Sequence, residues 1–150
     1  MSARGYTSRR ANIVEALAEK LKNIDGSGTY LSDLGDNVHP YLKFWDEVEE
    51  FPAVHLNAGN ETREYQGGGY KDRFLSVTIR CYVQEENAQY ALNALMEDIE
   101  TVIEENSNLQ YFDKLNNKLN CQQITVISID TDEGVLEPLG VGEILIEVRY

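Results

Sequence analysis

The chain is poor in the residues that most site chemistry needs. Its 150 residues include two cysteines, Cys81 and Cys121, and two histidines, His39 and His55. So few cysteines argue against a disulfide framework, and neither stands in a Cys-x-x-Cys or Cys/His spacing; a reducing compartment is the expectation. Cations are scarce as well: 13 Lys and Arg stand against 26 Asp and Glu, for a net charge of −13. That balance lacks the basic footprint of a nucleic-acid-binding protein and does not suit docking on anionic lipid. No run approaches the ~20 apolar residues of a membrane span, and Met-Ser-Ala-Arg-Gly-Tyr at the start has no signal-peptide core. Low-complexity tracts, repeats and linkers are also missing, so the expectation is one domain over residues 1–150. A chain of this length buries roughly two thirds of its unfolded surface and needs no staples.

The charge that is present is uneven. Residues 1–22 carry Arg4, Arg9, Arg10, Lys20 and Lys22 against Glu15 and Glu19, while the remainder is strongly acidic. Residues 85–105 hold Glu85, Glu86, Glu97, Asp98, Glu100, Glu104 and Glu105 and no Lys or Arg. Such a surface repels polyanions and favours solubility. It reads first as a solvated face, and second as one that awaits a basic partner.

Hydrophobic spacing predicts the elements. Ile13, Val14, Leu17, Leu21 and Ile24 recur at helical spacing over residues 8–24, with Ser8 or Thr7 as N-cap and Gly26 suited to a left-handed stop. Residues 29–50 fit neither period and read as a connection with one extended piece, its aromatics packed on the domain edge or on a neighbouring chain. Phe51 to Ala58 reads as a strand that Pro52 confines to an edge or a start, followed by a turn at Asn57-Ala58-Gly59-Asn60. Glu61 to Gln66 is extended, and Gly67-Gly68-Gly69 makes a flexible tip. From Tyr70 to Gln84, Leu75, Val77, Ile79, Cys81 and Val83 alternate with Phe74, Ser76, Thr78, Arg80 and Tyr82, the mark of a sheet covered on one side. Ala88, Ala91, Leu92, Leu95, Ile99, Val102 and Ile103 form the stripe of a second helix over 86–105. Leu109 to Leu115 reads as a helical turn, Ile124 to Asp130 as a strand, and Pro138-Leu139-Gly140 as a loop. Ile144, Ile146, Val148 and Tyr150 alternate to the final residue. The predicted fold class is α+β: a mainly antiparallel sheet, two helices on one face, and a long protruding hairpin.

Candidate chemistry is thin. His55 alternates with Val54 and Leu56 and is expected on the polar side, and His39 precedes a proline in a loop; each reads as a surface or capping histidine. Asp130-Thr131-Asp132-Glu133-Gly134 opens like a calcium loop but lacks the later Gly and Glu that such a loop needs. Gly67-Gly68-Gly69 and Gly140-Val141-Gly142 both lead into strands and offer no helix N-terminus to a phosphate. No metal and no cofactor is expected. What remains is contact surface: Arg63-Glu64-Tyr65-Gln66-Gly67-Gly68-Gly69-Tyr70-Lys71-Asp72-Arg73 sets tyrosines and arginines, the residues enriched in interface hot spots, around a hairpin tip.

The chain resembles the tail terminator, or tail-completion, proteins of long-tailed bacteriophages, of the lambda minor tail protein U type. The resemblance rests on a first helix ending Leu-Lys-Asn-Ile-Asp-Gly, then Phe44-Trp45-Asp46-Glu47-Val48 leading to Phe51-Pro52-Ala53-Val54. It continues through Glu64-Tyr65-Gln66, the strand Phe74 to Val83, an acidic helix, the turn Asp132-Glu133-Gly134 and a closing strand to Tyr150. It implies a non-enzymatic virion protein at the head-proximal end of the tail, assembled in the host cytoplasm. Such a protein acts as a homo-hexameric ring that caps the tail tube, stops its elongation and offers a surface to a head-completion or neck protein. Genomic DNA would cross the lumen without specific binding, and no membrane is involved. On that reading Tyr65, Tyr70, Lys71 and Arg73 contact the tube or a neighbour. Arg9 and Arg10 meet the acidic helix of a neighbouring subunit, and Asp130, Asp132 and Glu133 face the lumen. The alternatives are another head–tail connector or neck protein and, in a different class, a small-molecule-binding or enzymatic α+β domain.

Overall fold

The structure, a computed structural model, describes residues 8–42 and 47–150. The first helix, α1, runs Arg9–Leu21 with Ser8 as its cap, the Ser8 hydroxyl accepting from the Ala11 amide at 3.2 Å. Strands β1 (Val38–His39), β2 (Ala53–Tyr65) and β3 (Lys71–Gln84) follow, then helix α2 (Ala88–Glu105). Strands β4 (Gln110–Phe112), β5 (Lys118–Asn120), β6 (Gln123–Thr131) and β7 (Leu139–Arg149) complete the chain. Five strands form one sheet in the order β1-β2-β3-β7-β6, antiparallel except for the short parallel pair β1–β2, and β4 with β5 makes a separate hairpin. The class is α+β, as the two hydrophobic periods predict.

One face of the sheet is apolar because the strands alternate. Leu75, Val77, Ile79, Cys81 and Val83 of β3 and Ile144, Ile146 and Val148 of β7 are all buried. Ile13, Val14, Leu17 and Leu21 of α1 and Leu92, Leu95, Ile99 and Val102 of α2 close over them in the same core. On the opposite face Ser76, Thr78, Arg80, Glu143, Glu147 and Arg149 are half-exposed. Arg80 and Glu143 pair there across β3 and β7 at 3.3 Å.

The helix–sheet contact explains two glycines. A Cβ on Gly140 would lie 2.7 Å from Val83 Cγ2 and 3.3 Å from both the Cβ and the carbonyl oxygen of Ala88. A Cβ on Gly142 would meet Met96 Sδ at 2.9 Å and Leu92 Cδ1 at 3.0 Å. Gly140-Val141-Gly142 therefore lets α2 lie against β7, and the absence of side chains there is a packing requirement.

Several local expectations change. Residues 57–60 are not a turn: β2 runs straight through them with a register shift. Tyr111 lies in a strand instead of a helical turn, buried where β4 crosses α1, and Asn12 Nδ2 donates to the Phe112 carbonyl at 2.6 Å. Leu139 and Gly140 already belong to β7. Pro52 does precede a strand start, but β2 is not an edge, because β1 pairs alongside it. The extended piece of the 29–50 connection is β1, while Phe44 and Trp45, the aromatics expected to pack there, lie outside the described residues. His55 does lie on the polar side, opposite Arg80, but it is buried and not on the surface, because the connection folds back over that side of the sheet; the His39 and Tyr82 rings lie 5.2 and 5.4 Å from it.

Asp98 departs from the solvated reading of the acidic helix. It is 3% exposed, and its carboxylate accepts from the Leu31 amide at 3.0 Å and the Ser32 amide at 2.7 Å. A charged acceptor thus ties the irregular segment after α1 to α2. Asp98→Ala leaves those two amides without their acceptor and is expected to cost about 1–3 kcal/mol, read as a lower urea midpoint. Gly140→Val forces a branched side chain against the backbone of α2 and is expected to cost about 1–3 kcal/mol by overpacking; an unchanged thermal midpoint would refute the close-approach argument.

Candidate assembly surface

β2 and β3 pair residue for residue from Ala53↔Tyr82 to Ala58↔Val77, then resume at Glu61↔Leu75. Gly59 and Asn60 together stand opposite Ser76, which makes a bulge with one extra residue. Side chains alternate with period two, so one extra residue exchanges the two faces of everything beyond it. Before the bulge Val54, Leu56 and Ala58 share the helix-covered face with Ile79 and Val77. After it Glu61, Arg63 and Tyr65 share that face with Leu75, Arg73 and Lys71. The Arg10 guanidinium donates to the Gly59 carbonyl, fastening α1 to the bulge.

The hairpin beyond the core therefore continues the helix-covered face as a cationic and aromatic one. Lys71 Nζ sits 5.6 Å from the centre of the Tyr65 ring on its cross-strand partner. Arg63 and Arg73 are directly opposed, an unfavourable placement for like charges. Their charges are taken up separately: Arg63 pairs with Glu61 at 2.9 Å, and Arg73 lies 5.7 Å from the Tyr150 ring. Arg9 reaches the same ring at 5.2 Å and donates to the Tyr111 hydroxyl at 3.3 Å. These groups surround a cavity of about 500 Å³ whose charged lining is Arg9, Arg10, Arg63, Arg73 and Lys114 with one carboxylate, Asp113. At the tip the Gln66 amide bonds the Tyr70 carbonyl at 2.7 Å, and Gly68 and Gly69 take positive φ, which glycine permits. Tyr65 and Tyr70 are 73% and 75% exposed, which leaves two aromatic rings open at the hairpin end.

Glu61 anchors this arrangement. It accepts from the Tyr150 hydroxyl as well as from Arg63. Burial works to raise its pKa, but the Tyr150 and Arg63 hydrogen bonds, helped by the Arg10 charge, hold it below the ordinary carboxylate value.

The acidic residues lie at the other end of the sheet. Asp130 is exposed on β6 opposite Glu143. Asp132 organises its own loop, accepting from Gln89 Nε2 at 3.1 Å, the Leu136 amide at 3.1 Å and the Val141 amide at 3.3 Å. Glu133 is exposed at φ 56°, beside Val135 at 82% exposure. The sheet thus has a basic–aromatic end and an acidic end.

Residues 7–150 match the family model described as Bacteriophage Tail Tube Terminator Protein. The chain belongs to the phage tail tube terminator family. It is 36% identical over 149 residues to the tail tube terminator protein p142 of Escherichia phage T5, covering 94% of this chain and 92% of that protein. A chain from the virion of a native gene transfer agent particle shares the fold, with a TM-score of 0.56 at 7% identity over 92% of this chain and 93% of that one. Membership makes this a structural protein of the virion tail, associated with tail tube components. None of its helices among the described residues is long and apolar enough to cross a membrane.

Within the terminator frame, five of the residues singled out from the sequence, Tyr65, Lys71, Arg73, Arg9 and Arg10, come together along one surface although α1 and β3 are some sixty residues apart. Tyr70 stands at the tip with its ring against Gly68. Tyr150 and Lys114 were not among the candidates. Tyr150 reads as the last apolar position of an alternating strand, and only the fold shows two guanidinium groups resting on its ring. Cys81 and Cys121 are buried, and burial pushes both thiols up, Cys121 to about 12, so neither is an available nucleophile at neutral pH.

The Glu61 contact has a measurable pH signature. A carboxyl whose folded pKa is lowered stabilises the fold above its ordinary value of 4.5, and that contribution is lost as pH falls through the lower folded value. Tyr150→Phe removes one donor, so a carboxylate NMR titration is expected to move the Glu61 midpoint upward; an unmoved midpoint would break the assignment.

Proposed function

We propose that the protein terminates the tail tube as a closed homo-hexameric ring, by contact alone and without catalysis. The observation that carries this reading is family membership across nearly the whole chain, together with a sheet whose two ends differ in chemistry. A ring made of one repeated contact needs two different surfaces on each subunit, because each head-to-tail contact joins unlike patches. Tyr65, Tyr70, Lys71 and Arg73 on the hairpin are assigned to the tube or to the next subunit. Exposed tyrosines bring large rigid contact area at low entropic cost. Arg9 and Arg10 at the start of α1 are assigned to a neighbouring subunit.

The acidic end, with Asp130, Asp132 and Glu133, is assigned to the lumen, where repulsion of phosphates would let genomic DNA slide without specific binding. Asp132 is held by its loop, so Asp130 and Glu133 are the carboxylates left to face the channel. The surface away from the tube would receive a head-completion or neck protein.

The test is direct. Purified protein mixed with growing tail tubes is expected to give tubes of arrested length with a ring at one end in electron micrographs. Tyr65→Ala with Tyr70→Ala is expected to lower the fraction of capped ends at least tenfold while leaving the thermal midpoint within a few degrees, since neither side chain is in the core. Tubes that lengthen unchecked in the presence of the wild-type protein would overturn the reading.

A further inference from the structure

The structure carries charge of both signs outside its ion pairs. Among the described residues there are four ion pairs: Lys22–Glu19, Arg63–Glu61, Arg80–Glu143 and Arg149–Asp72. Arg9, Arg10, Arg73 and Lys114 are in none of them, yet all four line the cavity around Tyr150. The Nε of Arg9 is buried there without a hydrogen-bond partner. The carboxylates closest to hand are already committed, Glu61 to Tyr150 and Arg63, and Asp113 to the Leu115 and Asn117 amides. On α2 the situation is reversed. Glu97 and Glu104 are exposed, Glu100 is half-exposed, and no described ion pair involves any of them. Spaced by three and four residues, they share one face of the helix over roughly 10 Å.

We propose that the cavity around Tyr150 is the socket for the acidic face of α2 from a second copy of this chain, with Glu97, Glu100 and Glu104 entering among Arg9, Arg10, Arg73 and Lys114. This rests on the reading that the protein acts as an assembly of identical subunits, and it names the contact. The second copy is the occupant that charge complementarity selects: residues 23–150 hold 24 of the 26 acidic residues, and the α2 segment has no cation of its own. Guanidinium groups beside a tyrosine ring keep their positive charge and their planar fork of donors, which suits binding of carboxylate; Arg9 spends one N–H on the Tyr111 hydroxyl and is in none of the described ion pairs. The contact joins unlike surfaces, so each subunit in a pair keeps one socket or one helix face open for the next, the arrangement that a closed ring of identical subunits needs.

Carbodiimide coupling tests it, because that reagent joins an amine to a carboxylate already in contact and leaves no spacer. A mixture of isotope-labelled and unlabelled full-length chains, concentrated with and without tail tubes, is coupled, digested and read by mass spectrometry. The expected product is a mixed-label peptide pair joining Lys114 to Glu97, Glu100 or Glu104. Arg9→Glu with Arg73→Glu is expected to reduce that product at least tenfold. So is Glu100→Arg with Glu104→Arg, on the other side of the contact. Mixing the two charge-reversed proteins restores complementary pairs and is expected to restore association, measured by sedimentation, if both variants keep the wild-type circular dichroism spectrum. Absence of an inter-chain Lys114 product, a product unaffected by either reversal, or failure of the mixture to re-associate would overturn the proposal. Capping of tubes by the wild-type protein is scored separately, so a capping protein with no Lys114 product loses the socket and keeps its role.

Discussion

A single extra residue in β2 decides what this protein presents to its surroundings. The sheet is one-sided: the strands flanking β3 bring apolar side chains to the helices and polar ones to the other face. Left to strict alternation, the hairpin beyond the core would put Thr62 and Glu64 on the helix-covered side. The bulge at Gly59-Asn60 reverses that, and Arg63 and Tyr65 turn toward α1 instead. Arg10 bonds the bulge carbonyl, and the Glu61–Tyr150 hydrogen bond closes the space below it. Bulges in sheets re-aim side chains where a regular strand could not, and the cationic cavity exists because this one does.

The second constraint is the contact between α2 and β7. Gly140 and Gly142 let the helix lie close to the strand, and Asp98 on the same helix holds the chain after α1 through two backbone amides. The region from the loop at Asp132 to the segment at Leu31 is therefore one mechanical unit, with Asp132 itself tied to Gln89 of α2. The basic–aromatic and acidic ends are carried by one continuous sheet. Surfaces that are already ordered lose little entropy on assembly.

Low sequence identity to a structure of the same fold is consistent with this economy. The fold asks for two apolar stripes at helical spacing, alternation in β3 and β7, and small residues where a helix meets the sheet. Many side chains meet those conditions, so the architecture survives extensive substitution.

The helices, the long strand β3 and the α+β class were legible in the residues alone, because each rests on a local hydrophobic period that burial later enforces. The excess of acid, and the tyrosines and arginines around the glycine tip, were legible for a different reason: composition needs no fold. The turn expected at Asn57–Asn60 and the helical turn expected at Leu109–Leu115 were misread, because a bulge and a three-residue strand are set by their partners, Ser76 on β3 and Lys118–Asn120 on β5, and carry no period of their own. His55 was misjudged because its exposure depends on a connection that returns over the sheet. Above all, the meeting of Arg9, Arg73 and Lys114 around Tyr150 belongs to tertiary structure alone. Those residues are separated by up to 141 positions in the chain, and nothing along a sequence records which distant charges the packing of apolar stripes will bring onto one ring.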